Sequence, residues 1–187
     1  MKKLLSTIKP LRETGCLMTL LPNGLIDILS DNEHIFDRVD LETTGNAGGF
    51  ESDPHVTILY GIETVDKAEV IRVIQGYLSK SLHKQFDLKI DKDPSTFIND
   101  EFTVIKYGVT STIISELHEY LKANLTHLPS KFEGFNAHIT VAYVKTGTHL
   151  KYMSKLAELP DNCLIDIDLV MSLKGSVQDT PYIHLSI

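Results

Sequence analysis

Two seven-residue segments with one shared pattern constrain this chain more than any other feature. The segment from His55 to Gly61 reads HVTILYG, and the segment from His138 to Val144 reads HITVAYV. In each, a histidine is followed by alternating β-branched residues and a threonine, and a tyrosine stands five places after the histidine. Short runs rich in Val, Ile and Thr and bounded by turn residues are typical of strands. The sequence therefore predicts two copies of one strand.

Each copy is expected to present its histidine and its threonine on one face, because residues i and i+2 of a strand point the same way. The pairs are His55 with Thr57 and His138 with Thr140. Imidazoles with a pKa near 6.5 can coexist as one base and one acid near neutral pH. Threonine hydroxyls can donate to phosphate oxygens. We predict these four residues to be catalytic in acid–base chemistry on a phosphodiester, with no metal and no cofactor.

The His-x-Ser/Thr spacing has little weight without its context. Eight histidines in this chain give about one such spacing by chance, and three are present. The third, His184 with Ser186, lacks the trailing tyrosine, and we interpret His184 as an ordinary strand residue. A hydrogen-bonded core role for both motif histidines is the alternative, and no His or Asp spacing matches a metal-ligand set. His34, His118 and His127 are expected to face solvent.

Composition sets bounds on the class of protein. A chain of 187 residues suits one domain, here 1–187, and a net charge of −7 argues against a binder of long nucleic acid. The two cysteines are isolated, which favours a reduced cytoplasmic interior. No segment has the roughly 20 apolar residues of a membrane span. The charge still permits a small nucleotide in a local basic pocket.

The order of predicted elements suggests an internal duplication. Periodicity and turn signals predict strands at 16–21, 85–91, 101–107 and in the last 25 residues, and helices at 25–36, 65–82, 111–126 and 149–159, with Thr64 as the N-cap of the second. A motif strand, a helix and two strands thus occur twice. Two antiparallel sheets related by a pseudo-twofold axis would bring the motif strands together.

The loops before the two motifs hold the remaining candidates. Residues 37–54 are polar and rich in glycine, so they form either a flexible connector or a flap, at 41–52, over the site. Phe50, Phe132 and Phe135 could stack on a base or could anchor these loops. Strict alternation places both motif tyrosines on the opposite face, where core packing is expected, although Tyr143 is kept with Phe50 and Phe135 as a substrate-binding candidate.

The paired motifs resemble those of the two-histidine (2H) phosphoesterase superfamily. The resemblance covers nearly the whole chain and implies an α+β, bilobal fold: two pseudo-twofold-related antiparallel sheets with helices outside, a central cleft and intertwined lobes in a single domain. The phrases GCLMTLLP, DPHVTILYG and AHITVAYV further resemble the phage anti-CBASS branch, which destroys the cyclic oligonucleotide signals of bacterial immunity. One departure from the pattern is that Ala137, and not a proline, precedes the second motif histidine, whereas Pro54 precedes the first.

The resemblance implies a metal-independent phosphodiesterase that cleaves cyclic di- or trinucleotides such as cGAMP, in the host cytoplasm if the gene is phage-encoded. The partner would be that cyclic oligonucleotide or a small RNA-like phosphodiester, with no membrane and no long nucleic acid. One alternative is an RNA 2′,3′-cyclic or 2′,5′-phosphodiesterase. Another is a non-catalytic sponge for cyclic nucleotides, which would not need both histidines. The sequence leaves open which histidine is the base.

Overall fold

The computed structural model describes residues 14–44, 48–63, 67–81, 84–130 and 134–172, together with the backbone of 183–184. Three residues discussed above, Thr64, Phe132 and Ser186, lie outside the described residues, as does the side chain of His184. Within the described part, no helix is long and apolar enough to cross a membrane.

The fold is α+β, as predicted, and is built on one curled antiparallel sheet. The described strands are β1 (Gly15–Leu20), β2 (His55–Ile62), β3 (Gln85–Ile90), β4 (Ser95–Ile98), β5 (Phe102–Thr110), β6 (His138–Lys145), β7 (Asn162–Asp166), β8 (Leu169–Ser172) and β9 (Ile183–His184). The helices are α1 (Asn23–Ser30), α2 (Lys67–Leu78), α3 (Thr112–Asn124) and α4 (Leu150–Met153), with a 3-10 turn at Glu33–Ile35.

The sheet consists of two halves that meet at the motif strands. The strand order is β7-β3-β5-β6-β2-β1-β8-β9, with β4 also paired to β5. Both motif strands, β2 and β6, therefore lie at the centre, with β1, β8 and β9 beyond β2 and the other strands beyond β6. The join between the halves is short, with Val56 opposite Ile139. The chain crosses between the halves after each motif: β5, which follows the first motif, pairs with β6 and with β3, and β8, which follows the second motif, pairs with β1.

One face of this sheet is covered by helices and forms the core. Helix α3 packs across β2 and β3 with α2 beside it, and Tyr77 of α2 contacts Tyr120 of α3 with 5.5 Å between ring centroids. The apolar motif residues belong to that core: Val56, Ile58, Ile139 and Val141 are at most 2% exposed. Burial of these side chains holds the histidines and threonines on the opposite face.

The helices predicted at 25–36 and 149–159 were both too long, and side-chain hydrogen bonds explain where they end. Helix α1 ends at Ser30 because the buried amide of Asn32 donates to the Ile28 and Leu29 carbonyls. The segment predicted as a helix at 149–159 stays helical only through Met153. Further on, the Ala157 N–H donates to Asn32 and the Ala157 carbonyl accepts from Tyr107, so neither group can join a helical ladder.

The remaining differences lie at strands. The linker between the two strands predicted at 85–91 and 101–107 contains β4, which pairs along β5. The run that begins at Cys163, expected to be one strand, divides into β7 and β8 in opposite halves of the sheet, because Ile167 and Asp168 separate them. The strand predicted at 16–21 is confirmed as β1.

The start of α3 yields a test of the fold. Ser111 is buried at the N-cap, and its hydroxyl accepts from the Ile114 N–H at 3.3 Å. Ser111→Ala should lower the free energy of unfolding by about 1 kcal/mol, because one helix N–H loses its partner. Thr112→Ala, at the exposed next position, is the matched control and should be close to neutral. Urea unfolding curves in which both variants are equally stable would contradict the capping role.

Candidate active site

The pairing of β2 with β6 gathers the four predicted catalytic residues on one face. Because Val56 faces Ile139 in an antiparallel pair, His55 lies opposite Thr140, and Thr57 lies opposite His138. The two histidines are then diagonal neighbours, with their Cβ atoms somewhat less than about 7–8 Å apart. Each motif thus places its imidazole beside the hydroxyl of the other, related by a pseudo-twofold axis through the Val56–Ile139 pair.

Both imidazole rings are held in the same way. The Nδ1 atom of His55 lies 2.8 Å from the Asp53 carbonyl, and the Nδ1 atom of His138 lies 2.7 Å from the Asn136 carbonyl. A carbonyl oxygen only accepts, so Nδ1 carries the proton in both rings, and Nε2 has the free lone pair of a neutral imidazole. In each motif the carbonyl belongs to the residue two places before the histidine, which leaves Nε2 free of that hydrogen bond in both copies.

The environments of the two histidines differ in charge. Burial lowers the pKa of both imidazoles, and the hydrogen bonds from Nδ1 partly offset this. The Asp53 carboxylate raises the pKa of His55, whereas the ammonium of Lys106 and the imidazole of His55 lower the pKa of His138. The last effect shows that the histidines are close enough to influence each other. Of the pair, His138 has the more cationic surroundings.

A β-bulge follows the threonine in each motif and turns the tyrosine toward the site. Leu17 faces Leu59 but Met18 faces Thr57, so Ile58 is the extra residue in β2. The same shift occurs in β6, where Val141 is the extra residue. A bulge reverses the alternation beyond it.

The core packing predicted for both tyrosines is therefore wrong. Tyr60 is 60% exposed, and Tyr143 is partly buried with its hydroxyl hydrogen-bonded to that of Thr140. Thr57 has a different neighbour, since the Cys16 thiol lies 3.9 Å from its hydroxyl oxygen. Cys16 itself is buried, which raises its pKa to about 12 and keeps the thiol protonated.

The strands that flank the motifs extend the pseudo-symmetry but carry different side chains. Beside the first motif, β1 places Leu20 opposite His55, Met18 opposite Thr57 and Cys16 opposite Tyr60. Beside the second motif, β5 places Gly108 opposite His138, Lys106 opposite Thr140 and Val104 opposite Tyr143. One flank of the site is consequently apolar, and the other contains a cation.

The cationic flank is also aromatic. The Lys106 ammonium lies 4.2 Å from the ring centroid of Phe97 and 3.0 Å from the Ser95 hydroxyl oxygen. The same phenyl ring makes a T-shaped contact with the His138 imidazole, with centroids 5.1 Å apart and planes at 87°. Phe97 and Ser95 belong to β4, the strand that the sequence prediction treated as a linker, so neither was recognised as a site residue. The one sequence signal that could have identified Lys106 as a site residue is that it interrupts the apolar run TVIKY.

The loop before the first motif forms backbone hydrogen bonds with β6 in the parts that the structure describes. The Glu51 N–H donates to the Val141 carbonyl, and the Tyr143 N–H donates to the Gly49 carbonyl. Glu51 is 8% exposed and raises the pKa of Tyr143, which places its carboxyl group near the site. Burial raises the pKa of Glu51 to about 7, against a hydrogen bond from the Asp53 N–H that lowers it. This carboxyl group was missed because a single Glu in a polar loop carries no signal.

The two predicted phenylalanines that the structure describes, Phe50 and Phe135, pack against the core. Phe50 contacts Phe36 with 5.7 Å between ring centroids, and its backbone bridges to Ala142. Phe135 stacks on His118 of α3 at 3.9 Å between ring centroids. Both rings are partly buried against the main core. Their part in substrate binding stays a prediction.

His118 was predicted to face solvent, and this prediction is wrong. Its side chain is 13% exposed, and its Nδ1 atom lies 2.6 Å from the carbonyl oxygen of Ile58, the bulged residue of β2. The hydrogen bond satisfies a backbone group that the bulge removes from the ladder. His118 therefore supports the bulge that directs Tyr60 outward.

A depression of about 420 Å³ lies beside α1 and contains no motif residue; it is lined by Ser30, Asp31, Glu33, His34, Phe36, Arg38 and Leu41. No group of three or more His, Cys, Asp or Glu side chains among the described residues is arranged to hold a metal ion.

The comparisons with known proteins concern the fold. No protein-family model and no curated protein matches the sequence. Two solved structures of Usb1 from Kluyveromyces marxianus, one of them with uridine monophosphate, are similar to this chain with a TM-score of 0.55. Each is 9% identical in sequence, and the match covers 94% of this chain and 99% of the other. The chain shares the fold of these Usb1 structures, which is consistent with the α+β fold that the paired motifs implied.

The buried carboxyl group of Glu51 gives a pH-dependent test of the site. Its pKa in the folded protein is about 7, above the ordinary value of 4.5. The unfolded chain therefore releases this proton at a lower pH than the folded chain does. As a result, Glu51 lowers the free energy of unfolding as the pH rises from 4.5 to 7. Glu51→Gln should therefore raise the free energy of unfolding by on the order of 2–3 kcal/mol at pH 8, and should hardly change it at pH 4.5. Chemical unfolding at several pH values measures the difference.

The matched control is Glu42→Gln. Hydrogen bonds from Thr44 lower the pKa of Glu42, so the stability that its ionised form provides is present above its unfolded pKa and is lost on acidification. The control variant should therefore be less stable than the unsubstituted protein at neutral pH, the opposite sign. A stability gain for Glu51→Gln that does not change with pH would show that the carboxyl group is not held in a dry environment.

Proposed function

We propose that this protein is a metal-independent phosphodiesterase that acts on nucleotide phosphodiesters through His55 and His138. The supporting observation is the strand pair itself. Two imidazoles on one face have Nδ1 engaged by a backbone carbonyl and Nε2 left for proton transfer, and each lies beside a threonine hydroxyl. General acid–base catalysis of this kind typically contributes about 10²–10⁴-fold in rate.

The proposed reaction is an in-line transesterification beside a ribose. One Nε2 removes the proton of the 2′-hydroxyl, whose oxygen forms a bond to phosphorus. The bond from phosphorus to the leaving 5′-oxygen breaks, and the other histidine gives its Nε2 proton to that oxygen. Thr57 and Thr140 donate hydrogen bonds to the non-bridging oxygens, where negative charge develops. The products are a 2′,3′-cyclic phosphate and a 5′-hydroxyl.

The asymmetric charges suggest which histidine has which role. Lys106 and His55 both disfavour the protonated form of His138, which suits His138 to be the base. The Asp53 carboxylate favours the protonated form of His55, which suits His55 to be the acid. Because the site is pseudo-symmetric, hydrolysis of a cyclic phosphate by water would use the two residues with their roles reversed.

The substrate class within this function is a cyclic di- or trinucleotide, as in the anti-CBASS proteins that the sequence resembles. The acidic chain supports a small substrate rather than a long nucleic acid. The exposed ring of Tyr60 beside the first motif is available to stack on a base. An RNA 2′,3′-cyclic or 2′,5′-phosphodiesterase is the second candidate, favoured by the shared fold of a Usb1 structure determined with uridine monophosphate.

Product analysis tests this function. The protein in excess EDTA is incubated with cyclic dinucleotides, cyclic trinucleotides, 2′,5′-linked dinucleotides and RNA ending in a 2′,3′-cyclic phosphate. Linear products from the cyclic substrates, still formed in EDTA, are expected. His55→Ala and His138→Ala should each lower kcat by about 10²–10⁴-fold, because a proton-transfer group is lost.

His34→Ala is the control for histidine loss, since His34 is exposed beside the depression near α1, and it should keep full activity. Cleavage of the RNA ends alone would select the second candidate function. Recovery of every substrate unchanged, including after heating the protein complex, would contradict catalysis and favour a sponge.

The role assignment has its own readout. In pH titrations of the imidazole signals by NMR, both His55 and His138 should titrate below the ordinary 6.5. Lys106→Met should raise the pKa of His138, because a neighbouring positive charge is removed. Lys122→Met is the control: Lys122 lowers the pKa of His118, so that signal alone should move. An unchanged His138 titration in Lys106→Met would contradict the proposed origin of the asymmetry.

A further inference from the structure

The main break in the pseudo-symmetry of the site is one buried cation. The two motifs match at histidine, threonine, bulge and tyrosine, and their flanking strands match in register. At the position opposite the threonine, however, β1 has Met18 and β5 has Lys106. Methionine at one of two equivalent positions shows that the fold does not need a charge there. The lysine therefore calls for a functional explanation.

The surroundings of Lys106 leave its charge without an anion. The residue is 8% exposed, its ammonium donates to Ser95, and it lies over the face of Phe97. Among the described residues, no carboxylate lies within ion-pair distance of its Nζ atom; the Asp91 side chain, packed over Gly108, acts on it only at longer range. An ammonium has three donors, and a buried one without an anion is unfavourable. A bound phosphate group would accept hydrogen bonds from the remaining donors and would neutralise the charge.

The position of the ammonium separates it from the four motif residues. Ser95 faces Lys106 from β4, on the side of β5 that is away from β6 and Thr140. The side chain therefore extends outward from the phosphorus position that the motif residues define. Phe97 bridges the gap, because its ring contacts the Lys106 ammonium and the His138 imidazole.

We propose that Lys106, with Ser95 and Phe97, forms a subsite for a second phosphate group of the substrate, next to the scissile phosphate on the His138 side. This inference rests on the proposed function and narrows the substrate class. Nucleotides that carry two phosphates within one nucleotide of each other, as cyclic oligonucleotides do, occupy both positions. A mononucleoside 2′,3′-cyclic phosphate fills the catalytic position alone and gains nothing from Lys106.

Equilibrium binding tests the subsite without relying on turnover. The probes are the 3′,5′-bisphosphates of adenosine, guanosine, cytidine and uridine, each compared with its 3′- and 5′-monophosphates at one ionic strength. At least one bisphosphate should bind about 10- to 100-fold more tightly than both of its monophosphates, the range expected of a charge-assisted hydrogen bond. Lys106→Met should abolish most of that advantage and leave monophosphate affinity almost unchanged.

The substitution is chosen because methionine already occupies the equivalent position on β1. Lys106→Arg should retain part of the advantage, since a cation remains. Ser95→Ala keeps the lysine and removes its hydroxyl partner, so it should reduce the bisphosphate advantage by a few-fold. This variant gives a second measurement if Lys106→Met is poorly folded. Lys122→Met removes a positive charge on α3, on the far side of the sheet, and should change nothing.

Two results would overturn the subsite. One is a bisphosphate series that binds no more tightly than the monophosphates, and the other is an advantage that survives in Lys106→Met. Equal loss of monophosphate and bisphosphate affinity in Lys106→Met would place the ammonium on the scissile phosphate instead and would also reject the proposal. Cleavage of the substrate panel is measured on the unsubstituted protein, so the subsite and the catalytic function fail independently.

Discussion

The contact between β2 and β6 is the constraint on which the site depends. Val56 faces Ile139 at the join of the two half-sheets, and both side chains are fully buried. A shift of one residue in this register would move the histidines and threonines into the core and expose the aliphatic side chains. The free energy of burying the aliphatic face therefore also positions four polar groups on the opposite face.

The bulges add a second level of organisation that each copy of the motif shares. A strand limited to strict alternation could present a histidine and a threonine but would bury the tyrosine five places on. One extra residue, Ile58 or Val141, reverses the alternation and adds a phenol ring to the polar face. The backbone carbonyl that the bulge leaves out of the ladder at Ile58 accepts a hydrogen bond from His118. Bulges beside active sites commonly redirect side chains in this way.

The pseudo-symmetry makes the differences between the halves informative. Different surroundings favour different protonation states in two otherwise identical imidazoles. Here the difference comes from neighbours outside the motifs: Asp53 near one ring and Lys106 near the other. The same lysine, buried with a phenyl ring and a hydroxyl, also makes one flank of the site suited to an anion and leaves the other flank apolar.

The sequence by itself determined the two motif strands, the fold class and the gathering of His55, Thr57, His138 and Thr140, because each motif repeats one short pattern and alternation decides which face each residue occupies. Only the tertiary structure decided the rest. The bulges depend on how neighbouring strands align, so the outward direction of Tyr60 and Tyr143 has no local signal. Lys106 and Phe97 join the site through strand pairings between residues distant in sequence from His138, and Glu51 joins it through burial of a loop against β6. Such contacts are properties of the packed chain, and no window of residues contains them.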